Sequence, residues 1–136
     1  MRMMAVDYGD VRTGVAFCDV REMLATAYDT VEERYAPKLA EKLAALAKAE
    51  EAEQIVVGLP RNMDGSYGYR CDACRRLGDL LSELAGLPVV YQDERLTTVL
   101  AYDLLSAGNV HGKKSKKQVD AVSASVILQS YLDSHR

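Results

Sequence analysis

Apolar residues in the first part of the chain fall into short runs separated by polar turns. The run Met3–Asp7 is apolar up to its final carboxylate, and a second apolar run covers Val15–Cys18. Between them lies the polar stretch Asp10–Thr13 with a glycine close to each end, which is typical of a β-hairpin. A third strand is predicted over Ala25–Val31. The chain is therefore expected to begin with three consecutive strands.

Further along, the apolar positions recur with a helical period and alternate with short buried runs. Leu39, Leu43 and Leu46 follow Pro37 at helical spacing, which predicts a helix. The remaining segments are, in chain order, a strand over Ile55–Gly58, a helix carrying Leu77 to Leu84 and stopped by Gly86, a strand over Val89–Tyr91, a helix that Thr97 caps and that ends near Gly108, a polar loop over 109–117, and a last helix over about Gln118–Leu132.

The predicted order is β-β-β-α-β-α-β-α-α. Consecutive strands pair as antiparallel hairpins, whereas βαβ units give parallel pairs with helices on the faces of the sheet. The sequence thus predicts an α/β fold with a mixed five-stranded sheet, its first three strands antiparallel and helices on both faces. The length of 136 residues fits a single domain over 1–136.

Composition narrows the class of protein. No apolar run reaches the roughly 18 residues of a membrane span, and the N-terminus lacks a signal-peptide pattern. We therefore expect a cytoplasmic protein. The formal net charge is −3, so the chain is not basic as a whole. Basic charge is instead concentrated in one cluster: Lys113, Lys114, Lys116 and Lys117.

Three carboxylates lie where a carboxylate is costly or where functional groups gather. Asp7 ends a buried strand, and Glu94 follows the end of another, so both are expected at the edge where strand carboxyl ends meet. Asp120 shares a helix face with Ala124 and Ile127, and an ionised carboxylate on an apolar face needs a positive partner. Three such oxygen ligands predict a site for a hard divalent cation, which is able to support phosphodiester hydrolysis.

Each carboxylate also has a simpler interpretation. Asp7 fits a turn or cap residue, and Asp120 fits a carboxylate in the first turn of a helix, where the helix dipole favours it. Glu94 is able to pair with Arg95 or Arg61. No single residue decides between the interpretations, and only the convergence of all three favours a metal site.

Basic residues near these carboxylates are candidates for contact with a nucleic-acid backbone. The lysine cluster is expected in a flexible loop beside Asp120, either as a phosphate clamp or as a solvated loop. Arg12, Arg61 and Arg95 are further candidates, because a guanidinium binds phosphate through two parallel hydrogen bonds. His111 is a weaker candidate for a general base. Cys71 and Cys74 form a lone C-x-x-C, for which core packing is favoured over zinc or redox chemistry.

The chain resembles the YqgF/RuvX family, whose members are described as Holliday junction resolvases or pre-16S ribosomal RNA nucleases. The matching segments run in family order over nearly the whole chain. They are Asp7-Tyr8-Gly9, Gly14-Val15-Ala16, Val57-Gly58-Leu59-Pro60, Asn62-Met63-Asp64-Gly65, Asp93-Glu94-Arg95-Leu96-Thr97-Thr98, and Val119-Asp120-Ala121-Val122 with Ile127-Leu128. The chain departs from the family at Val11, near which a lysine is frequent, and at Ser123, where the family has alanine.

The resemblance implies a ribonuclease H-like fold, with Asp7, Glu94 and Asp120 as the catalytic acids and Mg²⁺ or Mn²⁺ as the cofactor. It also implies a structured nucleic acid as substrate. We favour 5′ processing of pre-16S ribosomal RNA by a monomer or weak homodimer, because no clear interface for a symmetric resolvase dimer is visible. The alternatives are a Holliday junction resolvase and a non-catalytic nucleic-acid-binding protein. An actin-like or sugar-kinase-like ATP-binding protein fits less well, since it needs a second phosphate-binding hairpin.

Overall fold

The computed structural model describes residues 1–60, 68–93 and 114–135, with side chains for all of these except 69 and 114–119. Strands and helices cover most of the described chain. The strands are β1 (Met3–Asp7), β2 (Arg12–Cys18), β3 (Ala25–Glu32), β4 (Gln54–Leu59) and β5 (Val89–Asp93), and the helices are α1 (Ala36–Ala49), α2 (Tyr69–Ala85) and α3 (Lys114–Ser134).

The five strands form one mixed sheet in the order β3-β2-β1-β4-β5. β2 runs antiparallel to both of its neighbours, whereas β1, β4 and β5 run parallel to one another. This confirms the predicted sheet, with its first three strands antiparallel. The carboxyl ends of β1, β4 and β5 and the start of β2 consequently lie along one edge, which we call the carboxyl edge.

The N-terminal hairpin is confirmed, but its second strand begins earlier than expected. Arg12 and Thr13 were assigned to the turn, and they are the first two residues of β2, where Arg12 pairs with Glu32 of β3. The polar character of these residues concealed the strand. Thr13 is fully buried and is a β-branched residue that suits a strand, so the turn is confined to residues 8–11.

Apolar residues alternate along the strands and form a core on each face of the sheet. Met4, Val6 and Val15 point to the face covered by α1 and α2, together with Leu39 and Leu77 of those helices. The opposite face is covered by α3, and its cluster is Met3, Ala5, Ala16, Cys18, Val56, Ala124, Ile127, Leu128 and Leu132. Helices therefore lie on both faces, as the sequence predicts.

The ends of α1 and α2 follow ordinary helix-boundary chemistry. Pro37 lies in the first turn of α1, where its missing N–H has no intrahelical partner to lose. Gly86 ends α2 in the left-handed conformation, with φ of 68°. Cys71 and Cys74 belong to α2 and are buried in the core, in agreement with the packing interpretation.

The last helix begins earlier than the sequence prediction of about Gln118. α3 starts at Lys114, so Lys114, Lys116 and Lys117 belong to a helix and the prediction of a flexible loop was wrong for these three residues. Lysine is a good helix former, so a lysine-rich segment is able to begin a helix without apolar periodicity. Asp120 is accordingly well inside the helix, beyond the first turn in which the helix dipole favours a carboxylate.

Several predictions fall on residues outside those described. They are the helix expected between Thr97 and Gly108 and the positions of Glu94, Arg61, Arg95, Lys113 and His111. Among the described helices, none is long and apolar enough to cross a membrane.

Candidate functional site

Asp7 is the last residue of β1 and lies on the carboxyl edge, half-buried. The alternation of β1 gives it the same face as Met3 and Ala5, which is the face covered by α3. In the hairpin register Asp7 pairs with Gly14 of β2. The carboxylate that the sequence singled out is therefore on the α3 side of the sheet, at the carboxyl edge.

Gly14 brings Asp120 to the same place. The backbone of α3 passes so close to Gly14 that an added Cβ would overlap the carbonyl oxygen of Asp120. Only a residue without a side chain permits this approach. Because Gly14 is the strand partner of Asp7 and also contacts the backbone of Asp120, the backbones of both acidic residues lie next to it.

Asp120 is paired with Arg12. The guanidinium Nε lies 3.4 Å from Oδ2 of the carboxylate, and the two side chains are 34% and 29% exposed. Burial raises the pKa of Asp120 above its ordinary value, and the neighbouring Arg12 offsets part of that rise. The positive partner that the sequence analysis required for Asp120 is thus an arginine at the start of β2.

The turn that follows Asp7 is held by hydrogen bonds and close packing. The Gly9 N–H donates to the Thr13 hydroxyl at 3.5 Å. A Cβ on Gly9 would overlap the carbonyl oxygen of Arg12, so this position also requires a glycine. The turn is therefore tightly packed against the start of β2, which carries Arg12.

Arg70 approaches the same turn from the first turn of α2, on the other face of the sheet. Its Nη2 donates to the carbonyl of Tyr8 at 2.8 Å, and its Nη1 donates to Oδ1 of Asp10 at 2.6 Å. The guanidinium also lies over the ring of Tyr8, 5.1 Å from the centroid. Two arginines, Arg12 and Arg70, consequently flank the turn from opposite faces.

Sequence reasoning missed Arg70 and Thr13. Arg70 is one of several arginines in a segment whose helical start the apolar pattern did not define, so nothing in its spacing marked it. Thr13 was read as a turn residue. A polar β-branched residue two positions before an apolar strand run was the available signal, and it was weak.

The described residues fit a divalent cation only in part. Asp7 and Asp120 supply hard carboxylate oxygens, the ligand type that Mg²⁺ and Mn²⁺ prefer. Within the described ranges, no group of three or more histidine, cysteine, aspartate or glutamate side chains lies close enough to hold a metal. The third predicted ligand, Glu94, lies outside the described residues.

Of the basic residues predicted to contact nucleic acid, some lie among the described residues and others lie outside them. Arg12 is at the site, whereas Arg61, Arg95 and Lys113 lie outside the described residues. Lys114, Lys116 and Lys117 occupy the first two turns of α3, the turns that precede Asp120 along the helix. The backbone of these three lysines is therefore in the same half of α3 as Asp120.

Sequence relatives cover nearly the whole chain. A Heliobacterium modesticaldum protein is 43% identical over 133 residues, covering 98% of this chain and 89% of the relative. A Limosilactobacillus fermentum protein is 41% identical over 138 residues, covering 99% of this chain and 95% of the relative. Both carry the name "Putative pre-16S rRNA nuclease".

Solved structures share the fold at low sequence identity. The Thermus thermophilus RuvC protein, solved in complex with a Holliday junction substrate, superposes with a TM-score of 0.64 at 13% identity and covers 99% of this chain and 95% of that one. The fowlpox virus Holliday junction resolvase gives a TM-score of 0.63 at 11% identity, covering 100% of both chains. The sheet order and these neighbours confirm the ribonuclease H-like fold.

The family comparison agrees with the motif pattern and with the fold. The model of the RuvX family, described as Holliday junction resolvase, matches residues 1–134. Relatives that are 43% and 41% identical cover 98% and 99% of the chain, which agrees with the match to the family model. The chain belongs to the RuvX family.

Proposed function

We propose that this protein is a metal-dependent endonuclease that hydrolyses phosphodiester bonds, with the 5′ region of pre-16S ribosomal RNA as its substrate in the cytoplasm. One observation carries the proposal: Gly14 pairs with Asp7 and contacts the backbone of Asp120, so the backbones of two acidic residues both lie next to Gly14 at the carboxyl edge. Family membership and the nuclease name of the relatives support the same activity.

The metal ligands of the proposed site are Asp7, Asp120 and Glu94. Mg²⁺ or Mn²⁺ bound there would supply Lewis acidity and lower the pKa of a bound water. Asp7 and Asp120 are half-buried, and burial strengthens electrostatic interactions within the site. The raised pKa of Asp120 indicates that a further positive charge is favourable there even with Arg12 present.

The other residues of the site contribute binding and orientation. Arg12 holds Asp120 through its Nε, and the two terminal nitrogens of its guanidinium provide further donors for a phosphate oxygen. The packed turn over residues 8–11 fixes the backbone immediately after Asp7. Lys114, Lys116 and Lys117, with Lys113, Arg61 and Arg95, complete the proposed contacts to the nucleic-acid backbone.

Ribosomal RNA is the proposed substrate because the sequence relatives, at about 40% identity, are named for it. Holliday junction DNA is the second candidate, favoured by the description of the family model. A resolvase cuts two strands symmetrically and must act as a symmetric dimer. We propose that this protein is a monomer or a weak homodimer. That state fits a ribosomal RNA nuclease better than a resolvase, which needs a symmetric dimer.

The test compares three labelled substrates: precursor ribosomal RNA, an unrelated single-stranded RNA and a four-way DNA junction. Each is incubated with wild type, Asp7→Asn or Glu41→Gln, with Mn²⁺ or with chelator. Glu41 is an exposed carboxylate on α1 and serves as the matched control. We expect Mn²⁺-dependent cleavage of precursor RNA that Asp7→Asn abolishes and Glu41→Gln retains.

The remaining outcomes are informative as well. Paired symmetric nicks in the junction, lost in Asp7→Asn, would establish the resolvase instead. Cleavage that Asp7→Asn leaves intact would come from a contaminating nuclease. Binding without cleavage of any substrate would favour the non-catalytic protein.

A further inference from the structure

The Arg70 side chain reaches the Tyr8–Asp10 turn from α2, and it makes two hydrogen bonds there with partners of different exposure. The bond from Nη2 to the Tyr8 carbonyl is partly buried and joins backbone to guanidinium. The bond from Nη1 goes to an Asp10 carboxylate that is 82% exposed, while Arg70 itself is 26% exposed. One end of the guanidinium is therefore anchored in the protein, and the other end faces a solvated anion.

An ion pair with such an exposed partner is weak and exchangeable. Exposed pairs contribute on the order of 0.2–1 kcal/mol, because water and salt compete for both charges. The Tyr8 carbonyl and the Tyr8 ring hold the guanidinium plane in place whether or not Asp10 is bound. An incoming oxyanion would therefore find Nη1 already oriented and would replace only Asp10.

The location of this guanidinium favours a phosphate as that oxyanion. Tyr8 follows Asp7 directly, so the backbone group that holds Arg70 is adjacent to the proposed metal ligand. Arg12 approaches the same turn from the α3 face. A nucleic-acid backbone that reaches Asp7 passes over a turn with one arginine on each face.

We propose that Arg70 is a phosphate-binding residue for the nucleic-acid substrate and that the Asp10 carboxylate competes with the phosphate for its Nη1. Asp10 thus acts as an internal substitute for a phosphate oxygen and weakens nucleic-acid binding. The proposal rests on the proposed function for the identity of the ligand as a nucleic acid. It adds a binding residue and a competing residue to the carboxyl edge.

The test measures binding of a fluorescently labelled precursor ribosomal RNA by anisotropy, over a series of salt concentrations. All proteins carry Asp7→Asn so that the RNA is not cleaved. The variants are Arg70→Gln, Arg70→Lys, Asp10→Asn and the double variant of Arg70→Gln with Asp10→Asn. Asp72→Asn is the matched control for Asp10→Asn. Asp72 is also an exposed carboxylate, and it lies in the first turn of α2, close to Arg70 in the sequence.

Arg70→Gln is expected to weaken binding and to reduce the slope of log affinity against log salt by about 0.7 to 0.9, the contribution of one phosphate contact. Asp10→Asn is expected to strengthen binding about two- to fivefold, which is the range an exposed ion pair allows. Asp72→Asn should have a smaller effect. In the Arg70→Gln background, the additional gain from Asp10→Asn should disappear.

Three results would overturn the proposal while leaving the proposed function intact. They are unchanged binding in a folded Arg70→Gln, an Asp10→Asn gain no larger than that of Asp72→Asn, and an Asp10→Asn gain that persists without Arg70. If Arg70→Gln fails to fold, Arg70→Lys and Asp10→Asn decide, since Asp10→Asn leaves the Tyr8 contact in place. Failure of the reference protein to bind any nucleic acid would overturn both proposals.

Discussion

Gly14 and Asp120 are in backbone contact where α3 crosses β2, and no side chain fits between them. Gly14→Ala should therefore push α3 away from the sheet at the position of Asp120. We expect a loss of about 1–3 kcal/mol in the free energy of unfolding, the range for overpacking a tight site. Urea denaturation measures the loss, and nuclease activity should fall by more than the folded fraction does.

The control for this variant is Gly86→Ala. Gly86 has open space around its Cα, but its φ of 68° costs about 1–2 kcal/mol for a residue with a side chain. Its stability loss should be similar to that of Gly14→Ala, whereas activity per folded molecule should be retained. Equal activity in the two variants would contradict the role of Gly14 in placing Asp120.

The raised pKa of Asp120 predicts a specific dependence of stability on pH. Burial favours the protonated carboxyl in the folded state, so the folded protein binds more protons than the unfolded one between the ordinary aspartate pKa and the raised value. This group therefore lowers stability as pH rises through that window. The melting temperature of Asp120→Asn should therefore rise relative to that of wild type as the pH increases from about 4 to about 7.

The measurement is a series of thermal melts of both proteins across that pH range, without divalent cations. Glu41→Gln provides the reference for removal of an exposed carboxylate. A difference between Asp120→Asn and wild type that stays constant with pH would show that Asp120 does not titrate abnormally.

Thr13 supplies the acceptor for the Gly9 N–H inside the turn after Asp7. Thr13→Val keeps the shape of this buried side chain but removes its hydroxyl. We expect a cost of about 1–3 kcal/mol for the polar group left without its acceptor. Chemical denaturation measures the cost. Thr13→Ser retains the hydroxyl, so it should recover most of the stability that Thr13→Val loses.

Divalent cations should stabilise the folded protein if the acidic residues of the carboxyl edge form a metal site. Carboxylates held close together repel one another, and a cation that binds only the folded state raises stability through linkage. Millimolar Mg²⁺ or Mn²⁺ should therefore raise the melting temperature of wild type and of Glu41→Gln. Asp7→Asn should show a smaller shift. Equal shifts in all three proteins would indicate cation binding elsewhere.

The sheet and the identity of the acidic residues were predictable because each has a local signal. Apolar runs and helical spacing define β1, β4 and α1 within a few residues, and they define the end of α2 but not its start at Tyr69. Asp7 ends one of these apolar runs. Asp120 was identifiable because its helix neighbours Ala124 and Ile127 are apolar, and both are fully buried.

The parts that sequence did not predict depend on contacts between distant segments. Arg12 was expected to face phosphate, and its ion pair with Asp120 joins residues more than a hundred positions apart. Arg70 reaches Asp10 and Tyr8 across 60 and 62 positions of the sequence, a separation that no periodicity encodes. The early start of α3 was missed because a lysine-rich turn has no apolar pattern to reveal it.

The two acidic residues next to Gly14 lie more than a hundred positions apart in the sequence. During synthesis the hairpin with Asp7 therefore leaves the ribosome well before the helix with Asp120. Until that helix docks, Met3, Ala5 and Val56 lack their cover and the acidic pair is incomplete. A nascent chain that has not yet produced α3 therefore holds neither a covered sheet face on that side nor an assembled acidic pair.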